Sequence, residues 1–231
     1  MPKTSAAAKE ARRTQILDAA VRCFARRGYY ATTIEDLVAD TGLSRGALYL
    51  YYPSKEAIYL AISERWGCGL EAAIRARLTP DLSPAAILRV LIEVTGEHVQ
   101  AQADACRILM EGWNLAHQIP ALAERVRREH ERSHAALGDL LRAGITAGEF
   151  RADLQVDIQV LLLEATLHGL MVQWHRQPGS VDWHAAAEEI IRGLRASFSG
   201  LGEAMLSRST EQRHGRHPHQ QAHTSSEAPL L

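Results

Sequence analysis

The segment Thr32–Lys55 constrains the fold more than any other part of the chain, because it carries the signals for two short helices joined by a tight turn. Thr33 and Asp36 have the three-residue spacing of a capping box, which predicts the start of the first helix. Gly42 predicts the end of that helix, because glycine adopts the left-handed conformation that often follows a helix C-terminus. Ser44 then offers a side-chain oxygen that can cap the second helix.

The second of these helices has one apolar side and one outward side. Leu43, Leu48 and Tyr52 are expected to pack against the first helix. The outward side is left with small, cationic and phenolic residues, namely Arg45, Gly46, Tyr49 and Tyr51. A short exposed helix that begins with small residues and carries one guanidinium and two phenols suits insertion into the DNA major groove. This pattern predicts a protein that reads DNA.

Further motifs surround this helix pair in a fixed order over roughly fifty residues. They are a helix at Arg12–Arg27, a turn at Gly28–Tyr29, the ThrThrIle and GlyLeuSer segments, the Leu48–Tyr49 pair and ProSerLysGlu at Pro53–Glu56. In this order the motifs resemble the TetR family of bacterial transcriptional regulators. The C-terminal half is weakly similar to the BetI-type body of some members, through AlaGlyGluPhe at Ala147–Phe150 and HisGlyLeu at His168–Leu170.

The resemblance implies which side chains meet DNA. In the family, phosphates are held by a tyrosine, by an aromatic residue or histidine two positions on, and by a lysine that opens the fourth helix. These roles fall on Tyr49, Tyr51 and Lys55, and base contacts fall on Arg45, Gly46 and Leu50. The complete set of expected DNA-binding residues is Thr33, Ser44, Arg45, Gly46, Ala47, Tyr49, Leu50, Tyr51 and Lys55.

The charge distribution agrees with a DNA-binding N-terminus. Residues 1–60 carry nine Lys and Arg against six Asp and Glu, whereas the remaining residues carry 17 against 21. A basic N-terminal part on an acidic body suits a protein that presents one end to a polyanion.

Helical periodicity continues through the rest of the chain without a convincing strand, so the sequence predicts an all-α fold of about nine helices. The later helices are expected at residues 55–78, 85–102, 103–118, 120–144, 153–177 and 181–206. The predicted domains are a flexible basic arm (1–9), a three-helix helix-turn-helix DNA-binding domain (10–57), a helical ligand-binding and dimerisation domain (58–206) and a disordered tail (207–231).

The predicted helix Asp153–Gln177 is apolar nearly all round, and a single core cannot cover every side of it. The resemblance implies that the last two helices pair with those of a second subunit in a four-helix interface. Small residues at Gly169 and in the run of alanines at 185–187 suit close helix approach. A homodimer is therefore expected.

Polar and soft side chains on otherwise apolar helices mark the candidates for a small-molecule site in the body. They are His98, Cys106, Met110, Trp113, Asn114, His117, Glu164 and His168. Those between residues 106 and 117 fall near one helical stripe, which suits either a pocket wall or ordinary core packing. A buried carboxylate needs a partner, so Glu164 is expected either to pair with His168 or a backbone donor or to recognise the ligand.

No cofactor, metal site or catalytic site is expected. His130 and His134 lie among charged residues and are interpreted as a solvated surface. Weak metal binding without fixed geometry is conceivable in the tail, which contains His214, His217, His219 and His223. The chain lacks a nucleophile elbow and a phosphate-cradling glycine loop, so we expect no enzyme. Without a signal peptide or a long apolar run, a cytoplasmic protein with no membrane contact is expected.

These observations favour a ligand-responsive, dimeric repressor that binds a near-palindromic DNA operator and is released by a small-molecule inducer. Two other classes stay open. One is a dimeric interaction module that keeps the fold without specific DNA binding, and the other is a helical enzyme with an incidental helix-turn-helix. The interaction module is disfavoured because it would have no use for three outward residues such as Arg45, Tyr49 and Lys55. The enzyme is disfavoured because the catalytic motifs are missing.

Overall fold

A computed structural model describes residues 6–195 of the 231-residue chain, apart from the side chains of Trp113 and Asn114. In this range there are nine α-helices and no strand, which confirms the predicted all-α fold. No described helix combines the length and apolar character that a membrane crossing requires. The helices are α1 (Ala6–Ala31), α2 (Ile34–Thr41), α3 (Arg45–Tyr51), α4 (Lys55–Arg75), α5 (Pro84–Ala101), α6 (Ala103–Ala116), α7 (Pro120–Thr146), α8 (Val156–Arg176) and α9 (Trp183–Arg195).

Several helix boundaries differ from the predicted ones. α1 begins at Ala6, so residues 6–9 are helical and do not belong to a flexible arm, because the alanine-rich start is a good helix former. α4 ends at Arg75, three residues before the predicted end at Leu78. The last helix is described from Trp183 to Arg195, so it begins two residues after the predicted start at Val181. Its predicted part after Arg195 and the predicted tail lie outside the described residues.

The first helix bends sharply at Gly28, where the backbone has φ 77° and ψ 165°. Residues with a Cβ rarely adopt this conformation, which explains the glycine. The bend returns Tyr29 to the core, where its ring packs 5.5 Å from Phe24 and 5.3 Å from Tyr59, measured between ring centroids. The turn predicted at Gly28–Tyr29 is confirmed.

The core of the N-terminal helices continues past residue 57, the predicted domain boundary. Its buried side chains come from α1 to α4 and also from α6 and the start of α7: Ile16, Leu17, Ala20, Cys23, Phe24, Tyr29, Leu37, Leu48, Tyr52, Ile58, Tyr59, Ile62, Ile108, Leu115, Ile119 and Leu122. The Tyr59 hydroxyl donates a hydrogen bond to the carbonyl oxygen of Ile108 at 2.8 Å. Burial raises the pKa of the Tyr59 phenol. The N-terminal helices and the body therefore share one core along α4 and α6.

A second core joins α5, α6, α7, α8 and α9, with Ile92, Trp174 and Trp183 among its larger members. α5 and α9 approach closely because Gly96 has no side chain. A Cβ at this position would lie 2.2 Å from Cγ of Trp183. The indole of Trp183 therefore packs directly on the backbone of α5.

α8 buries one side and leaves the opposite side uncovered. Val160 and Trp174 face the second core, whereas Ile158, Leu161 and Leu162 keep 51%, 54% and 52% of their surface exposed. We refer to these three residues as the α8 apolar strip. The sequence indicated that this helix has more apolar residues than one core can cover. The α8 apolar strip consists of residues that the core leaves uncovered. Contiguous apolar surface of this kind marks a site of association.

Replacing Gly96 with Ala should destabilise the protein by about 1–3 kcal/mol, because the added methyl group overpacks against Trp183. The matched control is Gly67→Ala in α4, where an added Cβ would meet only the flexible Arg125 side chain at 3.8 Å. Alanine has the higher helix propensity, so the control should be neutral or up to about 1 kcal/mol more stable. Urea denaturation followed by circular dichroism measures both changes. Equal stability of the two variants would contradict the packing of Trp183 on Gly96.

Candidate DNA-binding surface and ligand site

The α2–turn–α3 unit is built by the capping residues that the sequence predicted. The Thr33 hydroxyl accepts a hydrogen bond from the Asp36 backbone nitrogen at 3.1 Å, and the Asp36 carboxylate accepts one from the Thr33 backbone nitrogen at 2.9 Å. Gly42 follows α2 in the left-handed conformation, with φ 67°. The Ser44 hydroxyl accepts a hydrogen bond from the Ala47 backbone nitrogen at 3.2 Å. Both hydroxyls fix the helix starts, and contacts of Thr33 and Ser44 with DNA stay predictions.

α3 presents one side to solvent. Leu48 beneath it is fully buried, whereas Leu50 keeps 83% of its surface exposed. Gly46 is open, since no atom lies within 4 Å of a Cβ added there. Tyr51 is half-buried against the first core and not largely outward as predicted. The reason is its position about 60° around the helix from Leu48, near the buried side.

Arg45 lies at the start of α3 with 63% of its side chain exposed. One guanidinium nitrogen lies 2.7 Å from the Glu35 carboxylate, and the guanidinium carbon lies 5.7 Å from the centre of the Tyr49 ring. Glu35 is equally exposed, at 65%. Exposed ion pairs contribute only about 0–1 kcal/mol, so the guanidinium can exchange this partner for another acceptor.

Lys55 has a different environment from the one expected of a phosphate contact. Its ammonium donates hydrogen bonds to the carbonyl oxygens of Tyr29 at 2.8 Å and Thr32 at 2.9 Å. It also lies 4.4 Å from the centre of the Tyr29 ring. Desolvation lowers the pKa of the Lys55 ammonium. This geometry indicates that Lys55 ties the end of α1 to the start of α4, and its contact with phosphate stays a prediction.

Tyr30 is an exposed aromatic residue that the sequence reasoning did not single out. It keeps 62% of its surface exposed and contacts the Tyr29 ring edge-on, with centroids 5.6 Å apart. It closely precedes Thr33, the cap of α2. The available signal in the sequence was the pair of tyrosines directly after Gly28.

α6 connects the N-terminal helices to the body through two polar contacts. The Ile108 carbonyl accepts the hydrogen bond from Tyr59 of α4 described above. The neighbouring Arg107 donates a hydrogen bond to the carbonyl oxygen of Ala25 in α1. A displacement of α6 would therefore act on both α1 and α4.

The predicted ligand residues divide into separate groups in the structure. His98 is buried in α5, with Nε2 3.1 Å from the Trp66 carbonyl oxygen and 3.4 Å from Nε2 of Gln102. Burial lowers the pKa of His98. Cys106 is buried in the second core, and desolvation raises its pKa to about 11. Met110 is half-buried against the same core.

His117 is exposed and directly follows α6, away from the buried residues of the stripe. Trp113 and Asn114 belong to α6, but their side chains lie outside the described part of the chain. His168 is exposed on α8. The role of all these residues in ligand binding stays a prediction.

A cleft of about 720 Å³ opens where α1, α4 and the α5–α6 turn meet. Its lining consists of Asp18, Val21, Arg65, Gly69 and residues 100–105. Gln102 belongs to this lining and contacts His98, which places His98 directly behind the cleft wall. The predicted ligand residues themselves are not among those that line this cleft.

Glu164 lies among α7 side chains that the sequence analysis interpreted as a solvated surface. Its carboxylate oxygens lie 3.3 Å from Nδ1 of His134 and 3.7 Å from Nδ1 of His130. The Ser133 hydroxyl donates a hydrogen bond to Oε1 of Glu164 at 3.4 Å. The predicted surface position agrees with the exposure of His130, but the sequence analysis did not foresee that both histidines also face Glu164. α7 packs on α8. His130 and His134 are four residues apart, so both lie on the side of α7 that faces α8.

Comparison with known proteins identifies two family models in this chain. The model described as bacterial regulatory proteins, tetR family, matches residues 16–62. The model described as BetI-type transcriptional repressor, C-terminal, matches residues 84–199. The first match covers the capped helix-turn-helix, and the second covers α5 to α9.

Individual relatives agree with these models. The chain is 28% identical over 191 residues to the HTH-type transcriptional repressor KstR2 of Rhodococcus jostii (strain RHA1), covering 82% of this chain and 92% of that protein. It is 31% identical over 176 residues to the HTH-type transcriptional repressor Rv1474c of Mycobacterium tuberculosis (strain ATCC 25618 / H37Rv), covering 75% and 87%. The solved structure of the ketosteroid transcriptional regulator KstR2 of Mycobacterium tuberculosis superposes with a TM-score of 0.66 at 25% identity, covering 80% of this chain and 96% of that one.

These relatives regulate transcription and are not enzymes, in agreement with the expectation from the sequence. The exposed α3, the capping residues that hold it and the matches along both halves lead to one assignment. The chain belongs to the TetR family of bacterial transcriptional regulators, as a DNA-binding protein with a BetI-type C-terminal body.

Proposed function

We propose that this protein is a repressor that binds a near-palindromic operator as a homodimer and leaves it when a small-molecule inducer binds the body. The exposure of α3 carries this proposal, because its capped start and buried Leu48 hold Arg45, Tyr49 and Leu50 toward solvent. The relatives that are named repressors support repression of transcription over activation.

Arg45 and Leu50 are suited to base contacts, and Tyr49 is suited to a phosphate contact. A guanidinium donates two hydrogen bonds to O6 and N7 of guanine, and an apolar side chain contacts the methyl group of thymine. Hydrogen bonds from a phenol to phosphate oxygens position the helix without reading sequence. The exposed Glu35 partner of Arg45 is too weakly held to compete with a bidentate guanine contact.

The α8 apolar strip supports the homodimer. Pairing of two strips would cover Ile158, Leu161 and Leu162, which water surrounds in a single chain. Ala165 and Gly169 lie exposed on the same helix and allow two helices to approach closely. A two-fold dimer presents its two α3 helices to half-sites separated by about 34 Å or a multiple of it.

α6 is suited to transmit inducer binding to α3. One face of this helix carries Cys106 and Met110 of the body, and its Arg107 and Ile108 contact α1 and α4. An inducer that prefers a displaced α6 would change the separation of the two α3 helices. Release follows from the difference in inducer affinity between the two positions of α6. Of the residues predicted to bind the inducer, His98, Cys106 and Met110 are buried or half-buried and form the core of the proposed site. Trp113, Asn114, His117, Glu164 and His168 stay candidates from the sequence.

Replacing Arg45 with Ala should weaken binding to a duplex selected from random sequences by about 1–3 kcal/mol per half-site and relax the preference at one base pair. Fluorescence anisotropy on selected and scrambled duplexes measures both effects. The matched control is Arg75→Ala, which removes an exposed guanidinium at the far end of α4. An equal loss on both duplexes would make Arg45 a phosphate contact. A wild-type protein that selects no sequence would favour the interaction module.

Replacing Lys55 with Met should lower the free energy of unfolding by about 1.5–3 kcal/mol, because charged hydrogen bonds to the Tyr29 and Thr32 carbonyls are lost. The salt dependence of DNA binding should stay as in the wild type. A phosphate contact by Lys55 predicts the reverse, namely unchanged stability and a salt dependence lower by about one counterion per subunit. Urea denaturation and anisotropy titrations at several salt concentrations distinguish the two roles.

Replacing Leu161 with Arg should convert the dimer to monomers, because it leaves an unpaired charge in the middle of the interface. Sedimentation velocity measures the change. The control is Leu78→Arg, which alters an exposed leucine outside the α8 apolar strip and should leave the dimer intact. A Leu161→Arg protein that sediments like the wild type would place the interface elsewhere, and a monomeric wild type would contradict the dimer.

A further inference from the structure

We propose that α7 and α8 form a Zn²⁺ site from His130, His134 and Glu164. Each residue offers one ligand atom, and the three atoms lie within 4.8 Å of one another. Two neighbouring nitrogen donors and one carboxylate oxygen form a donor set that zinc accepts. Magnesium and calcium prefer oxygen donors throughout, so this set disfavours them. The inference goes beyond the proposed inducer response, which does not depend on it.

His134 and Glu164 are in hydrogen-bond contact at 3.3 Å, and the distances in this cluster are long for charge-assisted hydrogen bonds but typical of two ligands about one metal ion. Charge-assisted hydrogen bonds between a nitrogen donor and a carboxylate measure about 2.7–2.9 Å. The separations of Glu164 from His134 and His130 are longer, at 3.3 and 3.7 Å. Two ligands bound at about 2.1 Å to a tetrahedral ion lie about 3.4 Å apart. The two distances go to different oxygens of Glu164, and one ligand atom from each residue lies within 4.8 Å of the other two, so an ion bound between them would draw the side chains closer together.

The charge of Glu164 also calls for a cation. The carboxylate is 9% exposed, and burial of a charge is costly unless it is paired. Arginine is a common partner for such a group, and Arg127 and Arg128 of α7 pair with Glu124 and Glu131 of the same helix. In the described part of the chain, Glu164 forms ion pairs with His130 and His134, and its charge also acts on His168 of α8. A divalent cation would balance the carboxylate and bind both imidazoles in their neutral form.

Solvent can reach the site from the α7 side. His130 and His134 keep 55% and 36% of their side-chain surfaces exposed. The Ser133 hydroxyl orients Glu164 through its hydrogen bond to Oε1, as outer partners of metal ligands commonly do. Three protein ligands leave a fourth position for water or an external donor. The site therefore has an entry path, a positioned carboxylate and an open coordination position.

The experiment must separate this site from the histidines at the C-terminal end of the sequence. The background protein is the tag-free full chain in which His214, His217, His219 and His223 are replaced by Gln, after removal of metals with EDTA. Isothermal titration with ZnCl₂ should give one ion per subunit. Titration with Co²⁺ should give the visible spectrum of a four-coordinate site without thiolate charge transfer, because none of the three cysteines, Cys23, Cys68 and Cys106, is a ligand.

Ligand variants in this background assign the site. His130→Gln and His134→Gln should each lower the Zn²⁺ affinity at least tenfold, and Zn²⁺ should no longer raise the melting temperature of the His134→Gln protein. The control is His184→Gln, which removes a histidine that pairs with a carboxylate, Glu93 at 2.6 Å, without a third ligand. Its Zn²⁺ affinity should not change. His130 is exposed, so its variant tests the ligand without disturbing the core.

Two outcomes would overturn the proposal. One is the absence of stoichiometric Zn²⁺ binding in the background protein. The other is an affinity that neither His130→Gln nor His134→Gln reduces. In that case Glu164 and the histidines are an ordinary ion-pair cluster between α7 and α8.

Discussion

The hydrogen bond from Tyr59 to the Ile108 carbonyl is the contact on which the arrangement of the DNA-binding helices depends. A buried hydroxyl without a partner would cost about 1–3 kcal/mol, so α4 and α6 must hold the one register that satisfies it. Gly112, one turn further along α6, makes room for the phenol, because a Cβ there would lie 2.3 Å from the Tyr59 oxygen. The Tyr59 ring also packs against Phe24 and Tyr29 of α1. One side chain thus fixes α1, α4 and α6 together.

Lys55 extends this arrangement toward α3. Its ammonium holds the carbonyls of Tyr29 and Thr32, which lie at the end of α1 just before the capping box of α2. The orientation of α3 therefore follows from a series of polar contacts that starts at α6 and runs through α4 and the end of α1. The domain boundary predicted at residue 57 falls between Lys55 and Tyr59, which both belong to this series of contacts. The N-terminal helices and the body therefore share a core.

Local signals in the sequence were sufficient for the helix-turn-helix. The capping box at Thr33, the left-handed Gly42 and the Ser44 cap are interactions between residues a few positions apart, so their spacing alone reveals them. The outward direction of Arg45 and the core position of Leu48 follow from the same short helix. Together with the run of motifs around them, these signals led from the sequence to the correct family.

The remaining features depend on contacts between distant parts of the chain. Lys55 meets carbonyls at the end of α1 and directly after it, which lie 26 and 23 positions away, and only the folded chain brings them together. The histidines that face Glu164 stand among arginines and glutamates in the sequence, and helical periodicity does not reveal which side of α7 meets α8. The surplus of apolar residues on α8 was predictable, but the choice of Leu161 as an uncovered residue was decided by the neighbouring helices.

The contact of Trp183 with Gly96 has a mechanical consequence for the body. Because the Trp183 indole packs directly on the backbone at Gly96, it prevents α5 and α9 from sliding along each other. Such a movement would push the ring into the side chains on either side of the glycine. Shear motions in proteins require packed helices to slide, and this pair cannot do so without separating first. α5 and α9 therefore stay together, and the proposed displacement of α6 would take place against this fixed pair.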